Sequence, residues 1–133
     1  MKHYVVDANA LLDYFGERPG KLRVAALLKQ AAHSEQRLFL SVINWGEVVY
    51  NIWTKRGEAR ARQMTDAISR LPIEIVPVLA EDALEAARLK AVHKLPYADS
   101  FAAALAIRER ATLVTSDPHF ERLGKQIPVL WLR

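Results

Sequence analysis

The sequence predicts an α/β fold, a three-layer α/β/α sandwich whose central parallel sheet has about five strands. Short apolar runs alternate along the chain with longer segments of helical pattern, which is the order expected of strands and covering helices. The runs are continuously apolar, as is typical of strands buried on both faces of a parallel sheet. The chain has 133 residues and contains no linker, repeat or low-complexity segment. We therefore expect one domain over residues 1–133.

Spacing and capping residues define the elements of the first half. Apolar residues at Val24, Leu27 and Leu28 have the spacing of an amphipathic helix. Ser41 is a good N-cap, and Gly57 is a typical helix end. The predicted elements are a strand at 3–6, a helix at about 10–15, a loop at 16–20, a helix at 21–33, a strand at 37–41 and a helix from 42 to about 56.

Prolines divide the second half. Pro72 ends a charged helix, Pro96 suits the first turn of another, and Pro118 begins a short helix that Gly124 closes. The predicted elements are a helix at 58–71, a strand at 73–78, a helix at 80–94, a helix from 95–97 to about 110, a strand at 111–115, a short helix to 123 and a strand at 128–132.

Composition restricts the possible functions. The net charge of +4 and the pI of about 9.6 favour a polyanionic partner, nucleic acid first. The absence of cysteine excludes disulfides, thiol nucleophiles and cysteine-ligated zinc. No apolar run reaches the length of about 18 residues that a membrane span needs. The chain reaches an acid at Asp7, too early for a secretory signal. The absence of cysteine suits a cytoplasmic protein, which is the location we expect.

Two aspartates follow predicted strands. Asp7 comes directly after the first strand and Asp117 after the fourth, and functional groups of open α/β sheets gather at such strand ends. Both positions equally suit a helix N-cap, and Asp117 followed by Pro118 is a typical helix start. Taken singly, each aspartate fits a catalytic and a capping interpretation.

Asp99 lies within a helix that is apolar from 98 to 107 except at Asp99 and Ser100. A helix that is apolar on nearly all sides is buried, and an unpaired buried carboxylate is costly. Since Pro96 suits the first helical turn, Asp99 lies inside the helix and is not its cap. This position favours a functional role.

Glu47 carries less information by itself. On a helical wheel it projects away from the predicted core stripe, beside Asn44 and Asn51, so that a solvated glutamate is the simpler interpretation. The predicted core stripe consists of Val42, Trp45, Val49, Ile52 and Trp53.

The four acids together make the functional argument. The strand-to-helix junctions of a parallel sheet lie on one edge, so that Asp7, Glu47, Asp99 and Asp117 can converge there. Two carboxylates about 5 Å apart repel by roughly 3 kcal/mol at an effective dielectric of about 20. Four ionised carboxylates therefore need a cation, and an all-oxygen site suits Mg²⁺ or Mn²⁺ but not zinc.

Four segments around these acids resemble a known family. They are similar, in this order and over essentially the whole chain, to the four acidic motifs of PIN-domain ribonucleases, and in particular of the VapC-type toxins of toxin–antitoxin pairs. The segments are Val6-Asp7-Ala8-Asn9-Ala10-Leu11-Leu12, Asn44-Trp45-Gly46-Glu47-Val48, Tyr97-Ala98-Asp99-Ser100-Phe101-Ala102-Ala103-Ala104 and Thr115-Ser116-Asp117-Pro118-His119-Phe120.

The resemblance implies a PIN-like fold and a metal-dependent endoribonuclease that leaves a 5′ phosphate and a 3′ hydroxyl. It implies catalytic roles for the four acids, with Mg²⁺ or Mn²⁺ on Asp7, Asp99 and Asp117 and with Glu47 as an outer ligand or a water-orienting group. Supporting polar roles fall on Asn9 and Thr115. It also implies an RNA substrate, a cognate antitoxin and a homodimer. The aromatic residues near Trp45, Tyr50 and Trp53 suit either an antitoxin surface or the core.

Basic residues and histidines are less informative. Lys55, Arg56, Arg60 and Arg62 form the densest basic patch and suit either RNA phosphates or a solvated helical face. His119 adjoins Asp117, but the four histidines lack metal-ligand spacing, and a lone helical histidine is more often a packing or surface residue.

Two other function classes are compatible with parts of the sequence. One is an aspartate-phosphorylating domain, but a phosphotransferase needs a second Asp where Asn9 stands, and a receiver needs a lysine at the end of the last strand. The other is a catalytically silent protein-interaction module whose acids are all helix caps. Metal binding distinguishes that module from a nuclease.

Overall fold

The computed structural model describes residues 1–33 and 35–132. In this part of the chain, five strands form one sheet, and helices connect them. The strands are β1 (Lys2–Val6), β2 (Gln36–Ser41), β3 (Glu74–Val76), β4 (Thr112–Thr115) and β5 (Val129–Trp131). The helices are α1 (Ala8–Phe15), α2 (Lys21–Ala32), α3 (Val42–Arg56), α4 (Glu58–Ser69), α5 (Ala80–His93), α6 (Tyr97–Glu109) and a 3₁₀ helix (Pro118–Leu123).

The sheet is parallel throughout, with the strand order β3-β2-β1-β4-β5. The chain moves from β1 outward through β2 and β3, then returns to place β4 on the other side of β1. The strand order thus reverses between β1 and β4. In open α/β sheets, ligands bind at the carboxyl ends of the strands beside such a switch point.

Alternate residues of the strands supply two separate cores. Val5, Phe39 and Leu113 pack with buried residues of α5 and α6. Val6 and Leu40 face the other way and pack with buried residues of α1, α2, α3 and α4. The predicted three-layer α/β/α sandwich with five parallel strands is therefore confirmed. None of the described helices combines the length and the apolar character that a bilayer span requires.

The predicted elements are all present, with small shifts at their ends. β3 is shorter than expected and stops before Pro77, whose missing N–H cannot join a sheet ladder. Pro96 is the N-cap of α6 and not its first residue, which still leaves Asp99 inside the first turn. Gly57, with φ of 91°, ends α3 and begins α4 as expected of a residue without Cβ.

The predicted core stripe of α3 is only partly correct. Its fully buried residues are Asn44 and Val48, whereas Trp53 is 49% exposed. Trp45 does pack on the core between the sheet and α1 to α4, but from a partly buried position. The wheel failed because the most apolar side of α3 is not the buried side: a polar Asn44 is turned inward, where its amide finds hydrogen-bond partners.

Gly20 lies at a close approach between the start of α2 and two other parts of the chain. It is the N-cap of α2, and a Cβ built there would lie 2.9 Å from Asp13 Oδ2 and 2.9 Å from Leu132 Cβ. Gly46, inside α3, has open space at the same position. Both glycines have backbone angles that alanine can adopt, so the two positions differ only in the space available for a Cβ atom.

We expect Gly20→Ala to lower the free energy of unfolding by about 1–3 kcal/mol, because Leu132 and Asp13 must move. Gly46→Ala should raise it by about 0.5–1 kcal/mol, because alanine is the better helix former in an uncrowded position. Urea denaturation of both variants and the parent protein measures the two changes. Equal effects at the two glycines would contradict the packing described here.

Candidate metal centre

A polar pocket opens at the carboxyl ends of β1 and β4, beside the switch point of the sheet. The four acids singled out from the sequence all line it, so that their expected convergence is found. The lining residues are Asp7, Ala8, Asn9, Glu47, Pro96, Asp99, Asp117 and His119.

Asp7 is the most deeply buried acid of the pocket, with 3% of its surface exposed. It is the N-cap of α1, where the backbone N–H of Ala10 donates to Oδ1 at 2.8 Å, and the Thr115 hydroxyl donates to Oδ2. The pKa of Asp7 is raised to about 8. Burial is the main cause, the two hydrogen bonds oppose it, and the charges of Asp99 and Asp117 add to it.

Thr115 and Asn9 connect Asp7 with Asp117. The Thr115 hydroxyl accepts from the backbone N–H of Asp117 at 2.9 Å while donating to Asp7. The Asn9 amide donates to Asp117 Oδ2 at 3.3 Å. Asp117 also caps the 3₁₀ helix, since its Oδ1 accepts from the backbone N–H of His119 at 2.9 Å. The ends of β1 and β4 are thus joined through side chains of the pocket.

Asp99 lies in the first turn of α6 and does not cap it. Its side chain is 13% exposed, and its pKa is raised to about 7. Burial is the main cause, followed by the charges of Asp117 and Glu47, while His119 opposes the shift. The ionised form of Asp99 therefore lacks sufficient counter-charge in the protein alone.

Glu47 faces the pocket because Asn44, one helical turn earlier, holds it. The Asn44 amide donates to Glu47 Oε1 at 3.2 Å and to the backbone carbonyl of Ala98 at 3.0 Å, which links α3 to α6. Burial raises the pKa of Glu47, and the charge of Asp117 adds to this shift, whereas the hydrogen bond from Asn44 lowers the pKa. Asn44 was recognised in the sequence as a neighbour of Glu47 but was given no role. Its position three residues before the acid, which places both side chains on one face of the helix, was the sign of their contact.

Capping accounts for only two of the four acids. Asp7 and Asp117 both accept backbone N–H groups at helix starts, as the capping interpretation expected. Asp99 and Glu47 lie inside helices and cap neither of them. Buried carboxylates whose pKa is raised by neighbouring carboxylates, as for Asp7, Glu47 and Asp99, are an arrangement found at functional sites more often than in structural caps.

His119 is the residue that sequence reasoning undervalued. Its Nδ1 lies 2.9 Å from Asp117 Oδ1 and 3.7 Å from Asp99 Oδ2. One ligand atom each from Asp99, Asp117 and His119 lie within 4.8 Å of one another, close enough to share a metal ion. Asp7, expected as the third metal ligand, lines the same pocket, but both of its oxygens accept hydrogen bonds from the protein.

The structure divides the predicted basic patch. Lys55, Arg56 and Arg60 line a groove between α1, α3 and α4, together with Arg18. Arg62 lies outside this groove and pairs with Glu58, 2.7 Å away, as expected of a solvated helical face. Most of the other residues of the groove wall are apolar: Leu12, Phe15, Ile52 and Met64, beside Gly16 and Asn51.

The sequence matches the family model of the PIN domain over residues 4–126. Among curated proteins, none matches the sequence. Solved structures with the same fold include a chain of a toxin–antitoxin complex from Klebsiella pneumoniae, 24% identical with a TM-score of 0.69, where 98% of each chain is covered.

Two further structures share the fold at lower identity. A chain of DNA-bound VapBC from Salmonella typhimurium is 16% identical with a TM-score of 0.77, and 100% of each chain is covered. Mycobacterium tuberculosis VapC20, described as a sarcin–ricin loop cleaving toxin, is 15% identical with a TM-score of 0.69. That likeness covers 91% of this chain and 95% of VapC20.

The raised pKa values predict a stability that depends on pH. A carboxyl group whose pKa is higher in the folded than in the unfolded chain stabilises the fold below its unfolded pKa, and this contribution is lost as the pH rises through the folded pKa. For Asp7 that window runs from its ordinary value of 3.8 to about 8.

We therefore expect Asp7→Asn, measured in EDTA, to have a higher melting temperature than the parent near pH 8 and a similar one near pH 4. Each kcal/mol gained by removing the buried charge should raise the melting temperature by about 3–6 °C. Thermal denaturation followed by circular dichroism at both pH values measures the difference. Asn is as good an N-cap as Asp, so the cap itself is retained. A difference that does not depend on pH would contradict the raised pKa.

Proposed function

Because the chain belongs to the PIN domain family of nucleases, we propose that it is a metal-dependent endoribonuclease and the toxin of a toxin–antitoxin pair. One observation carries this proposal: four carboxylates from four separate chain segments meet in one pocket beside the switch point of the sheet. Buried carboxylates in contact are unfavourable unless a cation is bound or protons are held. A divalent metal ion accounts for their persistence together.

The donor set fits a hard divalent cation. Asp99 and Asp117 offer carboxylate oxygens at the mouth of the pocket, and Asp7 lies behind them. Carboxylate and water ligands suit Mg²⁺ and Mn²⁺. Asp99 and Asp117 would bind the metal directly, and Asp7 would bind it directly or through a water molecule. Glu47 would be an outer ligand or would orient a water molecule. When bound, the metal would supply an activated water and stabilise charge on the scissile phosphate.

The protein's own groups would position the reaction. Thr115 and the start of α1 fix the Asp7 carboxylate, and Asn9 fixes that of Asp117. Asn44 aims Glu47 into the pocket, where it would orient the attacking water and accept its proton. Attack on phosphorus breaks the bond to the 3′ oxygen, which leaves a 5′ phosphate and a 3′ hydroxyl.

The basic groove supports a nucleic-acid substrate. Lys55 lies eight residues after Glu47 on α3, about 12 Å along the helix axis at about 1.5 Å per residue. Within the described residues, Lys55, Arg56 and Arg60 have no ion-pair partner, so that their charge is available to phosphates. The VapC20 toxin, similar in fold, is described as a sarcin–ricin loop cleaving toxin. RNA is therefore the substrate we propose, in the cytoplasm.

An exposed apolar stripe on α3 supports a protein partner. Ile43, Tyr50 and Trp53 are 37%, 61% and 49% exposed and follow one another at helical spacing on the helix that carries Glu47. Large exposed apolar side chains in a row are typical of interaction surfaces. The similar structures include chains of toxin–antitoxin complexes. We propose an antitoxin as the partner, and a homodimer as the assembly that it controls.

The central test is cleavage of a mixed RNA pool with Mg²⁺ or Mn²⁺ and with EDTA. Asp99→Asn should lose at least about 100-fold in rate, a loss of roughly 2.7 kcal/mol in transition-state stabilisation, and EDTA should abolish cleavage by the parent. Asp66→Asn, at an exposed acid of α4 paired with Arg70, is the matched control and should retain the parent rate. Cleavage that persists in Asp99→Asn or in EDTA would overturn the proposal.

The basic groove has its own test. Neutralising Lys55 and Arg60 together to Gln should weaken RNA binding and make its logarithmic salt dependence shallower by about 0.7 for each phosphate that the protein no longer neutralises. Arg62→Gln is the control from the same surface, because Arg62 is already paired with Glu58. All variants are made in the Asp99→Asn protein, so that the RNA is not cleaved. Fluorescence anisotropy of a short single-stranded RNA at several salt concentrations then gives the slope of the logarithm of the binding constant against the logarithm of the salt concentration. A slope unchanged by the double substitution would exclude the groove as the RNA path.

A further inference from the structure

We propose that His119 is a direct ligand of the metal ion through Nδ1, and that this nitrogen makes the site bind Mn²⁺ in preference to Mg²⁺. The proposal rests on the metal-dependent function argued above and adds a residue and a selectivity to it. It begins from the three ligand atoms of Asp99, Asp117 and His119 that lie within 4.8 Å of one another.

The distances around His119 suit shared coordination. Ligand atoms on adjacent corners of an octahedron with bonds of about 2.1 Å lie about 3 Å apart. His119 Nδ1 lies 2.9 Å from Asp117 Oδ1 and 3.7 Å from Asp99 Oδ2. A cation between these three atoms would need only small movements of the side chains.

The backbone sets this arrangement. Asp117 accepts the backbone N–H of His119, a turn that Pro118 favours by fixing its own φ at the start of the 3₁₀ helix. This turn places the imidazole beside the carboxylate two residues earlier. The ring is 44% exposed and lines the pocket, so it is not a core packing residue.

The other histidines have different surroundings. His3 Nδ1 lies 3.2 Å from the carbonyl of Glu109, and His33 Nδ1 lies 2.8 Å from the carbonyl of Lys29. His93 lies against Gln126. Among the described residues, only His119 directs a ring nitrogen at carboxylates.

A nitrogen ligand changes which cation binds best. Mg²⁺ keeps water and oxygen ligands and gains little from imidazole, whereas first-row transition metals bind imidazole well. Mn²⁺ shares the carboxylate and water ligands of Mg²⁺ but is a first-row transition metal, so that an added nitrogen ligand favours it over Mg²⁺. A site made of Asp99, Asp117 and His119 should therefore discriminate between Mn²⁺ and Mg²⁺ more strongly than a site made of carboxylates alone.

Pulsed EPR of bound Mn²⁺ tests direct ligation without any measurement of activity. The parent protein should show nitrogen hyperfine coupling that His119→Ala abolishes. His33→Ala, at an exposed histidine outside the pocket, is the matched control and should retain the coupling. Absence of coupling in the parent with Mn²⁺ bound, or its persistence in His119→Ala, would overturn the proposal.

Calorimetric titration tests the selectivity. His119→Ala should bind Mn²⁺ about tenfold more weakly or worse, since even partners of metal ligands commonly contribute 10- to 100-fold. Its Mg²⁺ affinity should change less than threefold. Equal losses for both ions would overturn the preference for Mn²⁺, and an unchanged Mn²⁺ affinity, with or without a loss of RNA affinity, would show that His119 does not bind the metal. Failure of the proposed function itself is distinct, because the parent would then bind neither ion or Asp99→Asn would still cleave RNA.

Discussion

The structure depends on one constraint, the crowding of carboxylates at the switch point between β1 and β4. Asp7 is nearly excluded from solvent and lies close enough to Asp99 and Asp117 for their charges to raise its pKa. A fold selected for stability alone would place apolar residues here, as it does at the buried positions Val5, Val6, Leu113 and Val114 of the two strands. The unfavourable charge is tolerated because groups of the fold orient three of the acids, Asp7, Glu47 and Asp117.

Helix starts supply much of that orientation. α1 and α6 both begin at this edge of the sheet, where their N-terminal N–H groups favour negative charge by roughly 0.3–1 kcal/mol each. Ser41 caps α3 at the same edge, so that Glu47 falls in its second turn. The parallel topology therefore does more than gather the acids: it gathers them where the helix dipoles partly offset their repulsion.

The sequence predicted the fold and the positions of the acids, but not their surroundings. Asp7 and Asp117 were found because strand ends are visible as the limits of apolar runs, and Asp99 because it interrupts an apolar helix. Asn44 was seen beside Glu47 but not recognised as buried, since hydrophobic periodicity assigns buried positions only to apolar residues. His119 was seen beside Asp117 but not placed in the pocket, because its other neighbour, Asp99, comes from α6, twenty residues earlier in the chain.

Capping and metal ligation are compatible roles for one carboxylate, since its two oxygens offer about four lone-pair sites. Asp7 and Asp117 each accept a backbone N–H, and that bond fixes the carboxylate before any metal arrives. Asp99 has a different environment, because the groups nearest its carboxylate are Asp117 and His119, themselves site residues. The position of the Asp99 carboxylate therefore depends on the charge at the centre of the pocket more strongly than do the positions of the two capping carboxylates, Asp7 and Asp117.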